Sequence, residues 1–234
     1  GFNGSTQFEK QERYAFLPAF SAGWVVSEEE FFSSALPQIG FFKLRGSYGM
    51  TGNDKIGNYQ YLYLSVFESG RGYRFGESYN PYPTMREASL ANEDVSWEIA
   101  KKQNYGFDAQ LFNGLLGIAF DYFVERRSNI LATRNTITQV SGVQLDQLPP
   151  ENFGKVNNQG FEIETNLRKS FGDFTVIANG SFSRAVNTII DIDEIKYDLD
   201  YKNQTGKSIG QHFGYTWSGE YYTHEELGYV WDES

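Results

Sequence analysis

Between Asn104 and Arg127, apolar and polar residues alternate almost without a break. Tyr105, Phe107, Ala109 and Leu111 take turns with Asn104, Gly106, Asp108 and Gln110; Ile118, Phe120, Tyr122 and Val124 then alternate with Ala119, Asp121, Phe123 and Glu125. Successive side chains of a strand point to opposite faces, so a period of two predicts a sheet with one apolar and one polar face. Asn113-Gly114 separates the two runs, and a tight hairpin turn needs residues that accept positive φ there. Phe161, Ile163, Thr165 and Leu167 begin a second hairpin of the same design. It turns at Phe171-Gly172-Asp173 and returns through Phe174, Val176, Ala178, Gly180 and Phe182. Two earlier runs fit as well: Phe16, Pro18, Phe20, Ala22 and Trp24, then Phe42, Leu44, Gly46 and Tyr48 opposite Lys43, Arg45 and Ser47.

Six strands are thus expected, near residues 14–27, 40–51, 96–111, 115–128, 154–170 and 174–189. At roughly ten residues or more they exceed the usual five or six of soluble strands. Their connections alternate in length. Tight turns join the third strand to the fourth and the fifth to the sixth. Long segments near 52–95, 129–153 and 190–234 lie at the other ends, while Ser27-Glu28-Glu29-Glu30 is expected to cap a short helix carrying Phe31 and Phe32. Short turns on one rim and long loops on the other describe a transmembrane β-barrel. The polar face carries Asp108, Asp121, Glu125, Glu162, Glu164 and Arg168, as a water-filled lumen would. The fold class expected is therefore all-β, a portion of a large antiparallel transmembrane barrel. Six strands cannot close such a wall, so residues 1–234 are expected to be a fragment or split product of a larger barrel domain. The alternative is a soluble all-β carbohydrate-binding or structural domain whose apolar faces pack on each other.

Composition narrows the field further. The chain has no cysteine, which excludes disulfide scaffolds and thiol nucleophiles, and no stretch approaches the ~18 apolar residues of a membrane-spanning helix. The net charge of −10 speaks against nucleic acid as a partner, and it is concentrated: residues 191–200 carry −4 and residues 220–234 carry −5. Solvated loops account for such runs, and Asp191-x-Asp193 is a weak calcium signal without an EF-hand pattern. No signal peptide is visible at Gly1-Phe2-Asn3.

Specific segments carry a family resemblance. Leu17-Pro18-Ala19-Phe20-Ser21-Ala22-Gly23-Trp24 resembles the F-P-A-x-S-x-G-W segment of SusC/RagA-type TonB-dependent outer-membrane transporters. Leu44-Arg45-Gly46-Ser47-Tyr48-Gly49-Met50-Thr51-Gly52-Asn53 is similar to their L-R-x-S-Y-G-x-T-G-N. Trp97-Glu98 with Gln103-Asn104-Tyr105-Gly106-Phe107-Asp108, then Gly154-Lys155-Val156-Asn157-Asn158-Gln159-Gly160-Phe161-Glu162 and Gly210-Gln211-His212-Phe213-Gly214-Tyr215, continue the series in order. The resemblance implies a 22-stranded barrel in the outer membrane of a Bacteroidetes-like Gram-negative bacterium, in contact with its lipid. It also implies an internal plug, energy from the TonB complex through parts outside this chain, a SusD-like surface lipoprotein as partner, and oligosaccharides or peptides as substrates. No catalytic role, metal or cofactor is expected.

Candidate substrate contacts lie in the segment from Thr51 to Val95, at Tyr59, Tyr61, Tyr63, Arg71, Tyr73, Arg74, Tyr79 and Tyr82, because aromatic faces and guanidinium forks suit sugar rings and peptide groups. Packing of the loop on itself is the competing explanation, and the spacing of Tyr59, Tyr61 and Tyr63 suggests one face of a strand extension. Asp108, Asp121, Glu125, Glu162 and Glu164 are the candidate lumen-lining residues. Other motifs dissolve on inspection. His212 and His224 have no metal-ligand spacing, no Gly-x-Ser-x-Gly elbow exists, and Thr205-Gly206-Lys207-Ser208 lacks the first glycine of a phosphate loop, Tyr201 standing in its place.

Overall fold

The computed structural model describes residues 1–57, 60–70, 72–74, 76, 81–136, 148–212 and 214. Strands β1 (Phe2–Gly4) and β2 (Tyr14–Phe16) pair as a small ribbon. The main sheet has six antiparallel strands, β3 (Ala19–Val25), β4 (Ile39–Asn53), β9 (Glu98–Leu111), β10 (Leu116–Ala132), β11 (Glu151–Phe171) and β12 (Phe174–Asp191). Each pairs with its neighbour in chain order, a simple meander whose end strands are β3 and β12. Between β4 and β9 the chain builds a projecting arm of nested hairpins, β5 (Val66–Ser69) with β8 (Met85–Ser89) and β6 (Tyr73–Arg74) with β7 (Pro81–Tyr82).

Turn chemistry sets the register. Asn113 and Gly114 sit at φ 54° and 82°, and the Leu115 N–H donates to Phe112 O at 3.2 Å, a type I′ turn. That turn places Leu111 opposite Leu116 and Phe107 opposite Phe120. Gly172, at φ 61°, begins the two-residue turn between Phe171 and Phe174. A helix α1 (Glu30–Ala35) follows a 3-10 turn at Val26–Glu28 and crosses the same rim.

Several sequence expectations need correction. The strand near 14–27 is two strands, because Pro18 has no N–H to give: Leu17 donates instead to Gly1 O at 2.8 Å, and Pro18 O accepts from Met50 at 2.8 Å. Ser27 does not cap α1. Glu29 occupies the cap position, and its carboxylate accepts from Trp24 Nε1 at 3.0 Å rather than from the helix. The long segments 52–95 and 129–153 are shorter as loops than expected, since β4 reaches Asn53, β10 reaches Ala132 and β11 starts at Glu151, and the first contains the hairpin arm. Tyr61 and Tyr63 do not extend a strand: Tyr61 has φ 53°, and Leu64 N–H closes a turn onto its carbonyl at 2.9 Å.

Burial along the strands is graded. In β11 Gly154, Val156 and Gly160 are buried, whereas every residue from Glu164 to Phe171 is exposed; in β12 Phe174 to Val186 are all exposed. The hydrophobic core sits at the long-connection end. Phe8 and Val95 (both 0% exposed), Ile56, Leu62 and Trp97 pack together, with Ala15, Tyr63, Ile99 and Leu131 against them. Phe8 and Trp97 rings lie 5.3 Å apart, and Trp97 Nε1 donates to Arg13 O at 3.3 Å.

Candidate functional site

The two faces of the sheet follow from the register, since residues directly opposite each other share a face. One face is aromatic. Phe32 of α1 stacks on Phe42 of β4 at 5.5 Å, and the row continues through Phe107, Phe120, Phe161 and Phe182 at 5.7, 5.5, 6.4 and 5.8 Å. A single file of rings thus crosses five strands and the rim helix. Trp24, Leu44, Tyr105 and Tyr122 lie on the same side, with Tyr105 54% exposed.

The other face is charged. Asp108, Asp121, Glu125, Glu162 and Glu164 all lie on it. Arg45 joins two of them: its Nη1 and Nη2 donate to Asp121 at 2.8 and 2.6 Å, and its Nε donates to Asp108 at 3.2 Å. Arg45 on β4 and Asp121 on β10 are separated by a strand, and the residue between them on β9 is Gly106. A Cβ at Gly106 would stand 2.7 Å from Asp121 Oδ1 and 3.2 Å from Arg45 Cζ, so the glycine leaves the gap through which the guanidinium reaches. Toward the long-connection end a second chain of charges runs Lys102–Glu125–Arg127–Glu98, with Lys102 to Glu125 and Arg127 to Glu98 both at 3.7 Å. Glu162 and Glu164, on β11, have no ion-pair partner among the described residues. Glu162 stands directly opposite Asp121.

At the long-connection rim the Asn152 side chain ties β11 to β10 and to the segment that leads into β9. Its Oδ1 accepts from Ser96 N–H at 2.9 Å, and its Nδ2 donates to Ser96 O at 3.0 Å and Asn129 O at 2.8 Å. Asp193, just past β12, holds the loop after β10. The Thr136 hydroxyl donates to it at 2.8 Å, and the N–H groups of Thr136 and Asn135 add bonds at 3.3 and 3.0 Å. The Thr136 hydroxyl first, then these backbone donors and the Arg134 cation, hold its carboxyl below the usual carboxylate range against the opposing effect of partial burial. Burial raises the Glu194 carboxyl, but the N–H groups of Thr205 and Gln204 outweigh it and the net direction is down.

The expected aromatic contacts are divided between two places. Tyr61 and Tyr63 meet edge to face at 6.2 Å at the base of the arm, with Tyr63 against the rim core. Tyr73 and Tyr82 stand opposite each other on the arm, 63% and 57% exposed, with Arg74 beside them. Tyr59, Arg71 and Tyr79 lie outside the described residues. The Thr205–Ser208 segment lies along the end of β12: Gly206 N–H donates to Ile189 O at 2.8 Å, and Ser208 Oγ donates to Asn187 O at 2.9 Å. Residues that the sequence reading left without a role are Arg45 as the hub of the carboxylates, Gly106 beneath it, Arg127, and Asn152.

A sheet with one ring-lined and one charged face has known counterparts. Residues 1–233 match the family described as TonB dependent receptor-like, beta-barrel. The chain belongs to this family. TonB-dependent receptor P39 of Formosa agariphila is 31% identical over 91% of this chain and 20% of its own length. TonB-dependent receptor SusC of Bacteroides thetaiotaomicron is 29% identical over 71% of this chain and 16% of its own length. In structure, the RagAB peptide importer in its open-open state superposes with a TM-score of 0.66 at 21% identity, covering 83% of this chain and 20% of that one. The chain therefore spans about a fifth of the length of the TonB-dependent receptors it matches. The six-strand meander is a portion of a TonB-dependent receptor barrel, and the all-β barrel class expected from the alternation holds.

Proposed function

We propose that this chain forms part of the wall of a closed outer-membrane barrel that imports oligosaccharides or peptides, with the TonB complex as energy source and a SusD-like lipoprotein at its outer mouth. The observation that carries the reading is the pairing of faces: a row of phenylalanines on one side of the strands and paired charges on the other. Five of the six sheet strands, at 14 to 21 residues, exceed the 9–11 that a tilted strand needs to cross a bilayer, so the upper part of each of these projects beyond it. Asp108, Asp121, Glu125, Glu162 and Glu164 then face the lumen. Tyr61, Tyr63, Tyr73, Arg74 and Tyr82 border the outer mouth, and they, together with Tyr59, Arg71 and Tyr79, are the proposed substrate contacts. The end strands β3 and β12 pair with the remaining strands of the barrel, since an open edge in lipid costs several kcal/mol per unpaired group.

A soluble sandwich would cover its apolar face with a second sheet. Phe20 at 70% and Phe182 at 59% exposure have no such cover in the described structure. Fractionation of the native protein tests the reading: recovery in the outer membrane, released only by detergent, is the expected result. A monodisperse monomer from the periplasm without detergent overturns it.

A further inference from the structure

Above the point where Asn152 ties β11 to β10 and to Ser96, just before β9, a cavity of about 450 Å³ opens at the long-connection rim. That volume lies within the ~300–1,000 Å³ of small-molecule sites. Its lining is unusual for such a site, because polar groups predominate: Asp94, Ser96, Asn129, Arg134, Glu151 and Asn152. The floor is rigid. Asn152 uses three hydrogen bonds to hold Ser96 and Asn129, and Asn129 sits at φ 57° beside the bulge that bends β10.

The charges in the lining decide what fits. Arg134, the one cation among the described residues of the lining, is already committed: its Nε donates to Glu151 at 3.0 Å, it faces Asp193 at 3.6 Å, and its guanidinium covers the Phe153 ring at 4.6 Å from the centroid. The Asp94 carboxylate and the Ser96 hydroxyl have no partner among the described residues. A carboxylate, phosphate or peptide C-terminus would find no uncommitted cation, and a peptide's apolar side chains would find little apolar wall. What the cavity offers is carboxylate acceptors together with the Ser96 hydroxyl and the Asn129 amide, which can donate as well as accept, as the mixed donor and acceptor hydroxyls of a sugar require. We propose that it is a binding subsite for one or two units of a neutral, polyhydroxylated glycan. This inference rests on the proposed function and narrows its substrate class.

The test uses the assembled barrel in detergent micelles and titration calorimetry against neutral oligosaccharides cut from starch, cellulose, xylan and mannan, beside a polygalacturonate hexamer and a neutral hexapeptide. At least one neutral oligosaccharide is expected to bind, and the double variant Asp94→Asn, Ser96→Ala is expected to bind it about tenfold more weakly, as loss of one or two hydrogen bonds predicts. The variant keeps Asn152 and is checked for wild-type melting. Absence of binding by every neutral oligosaccharide overturns the proposal, as does equal binding by variant and wild type, or a loss confined to the uronate or the peptide. A protein that never enters the outer membrane would instead remove the wall reading itself, which fractionation shows independently.

Discussion

The two ends of the same strands are buried to very different degrees. At the long-connection end Phe8, Val95 and Trp97 are buried at 0 to 7% exposure, and the N-terminal ribbon, the base of the arm and the strand tips supply the cover. At the short-turn end Phe174 is 78% exposed and Phe171 58%, the latter covered only by the Lys169 ammonium at 5.6 Å from its ring centroid. A protein in water buries large apolar side chains wherever it can. The upper half does so with its own residues, as a water-facing structure must. The lower half leaves its rings bare, and in the proposed barrel wall lipid on one side and the remaining strands on the other would complete it. One chain therefore carries two stability mechanisms, separable by mutation.

The largest effect is expected at Trp97. Truncation to Ala removes a ring packed 5.3 Å from Phe8 and a donor to Arg13 O, and costs about 3–5 kcal/mol. The contrast between the two ends predicts how this loss shows itself. Limited proteolysis of the variant in membranes should open cleavage in the first 13 residues and the segment 54–97, while the strands stay inserted. Loss of insertion together with the core would show that the halves are not independent. Phe120→Arg is the opposite probe. Phe120 lies between Phe107 and Phe161 in the ring row, and a cation there near the bilayer midplane costs about 2–4 kcal/mol. Refolding into lipid vesicles should fail or slow markedly, whereas Phe8, Val95 and Trp97 are untouched. Refolding at the wild-type yield would place this face away from lipid.

How much of this was legible beforehand differs between the halves for the same physical reason. The lower half is regular, so a period of two together with Asn113-Gly114 is enough to pair Phe107 with Phe120 and Gly106 with Asp121. The partner of Asp121 was not legible. Arg45 reaches it from β4, and the pairing of β4 with β9 closes across more than forty residues of arm and loop that carry no register signal. The upper half was hidden more deeply. Its core joins Phe8, Ile56, Leu62 and Val95, which belong to no strand of the main sheet and show no periodicity. Trp97 read only as part of a motif, and the packing of Tyr63 on that core had no signal in its spacing. Pro18, by contrast, marks its break in the first strand in the sequence itself, because its missing N–H overrides the alternation around it.

Between these probes lies Gly106, which tests whether the charged face is built or merely polar. A methyl there would stand 2.6 Å from Phe120 O and 2.7 Å from Asp121 Oδ1. Gly106→Ala should therefore force β9 and β10 apart and break the Arg45 bridge, at about 1–3 kcal/mol. Asp108→Asn, which removes one partly exposed partner of Arg45, should cost about 1 kcal/mol or less. Thermal melts of the two variants in detergent check the order. Equal shifts would mean that the bridge to Asp121 has no more structural weight than a surface ion pair.

The smallest effect is expected at the rim, from pH. Asp193 holds Asn135 and Thr136 through its ionised carboxylate, whose pKa is lower in the folded chain than in the unfolded one. A depressed carboxylate contributes its stability fully above the unfolded value, near pH 4, and loses it as pH falls toward the folded value. The anchoring of the β10–β11 connection is thus constant from pH 5 to 8 and weakens only below about pH 4. Glu194, shifted the same way, releases Gln204 and Thr205 in the same window. Proteolysis by an acid protease should cut near Thr136 at pH 3 far faster than near the Asn113-Gly114 turn, and Asp193→Asn should admit a neutral-pH protease there at pH 7. If cleavage near Thr136 at pH 7 is the same with and without the Asp193 carboxylate, the connection is held by something other than this side chain. The division between an upper half covered by its own residues and a lower half with bare rings would then stop below the rim.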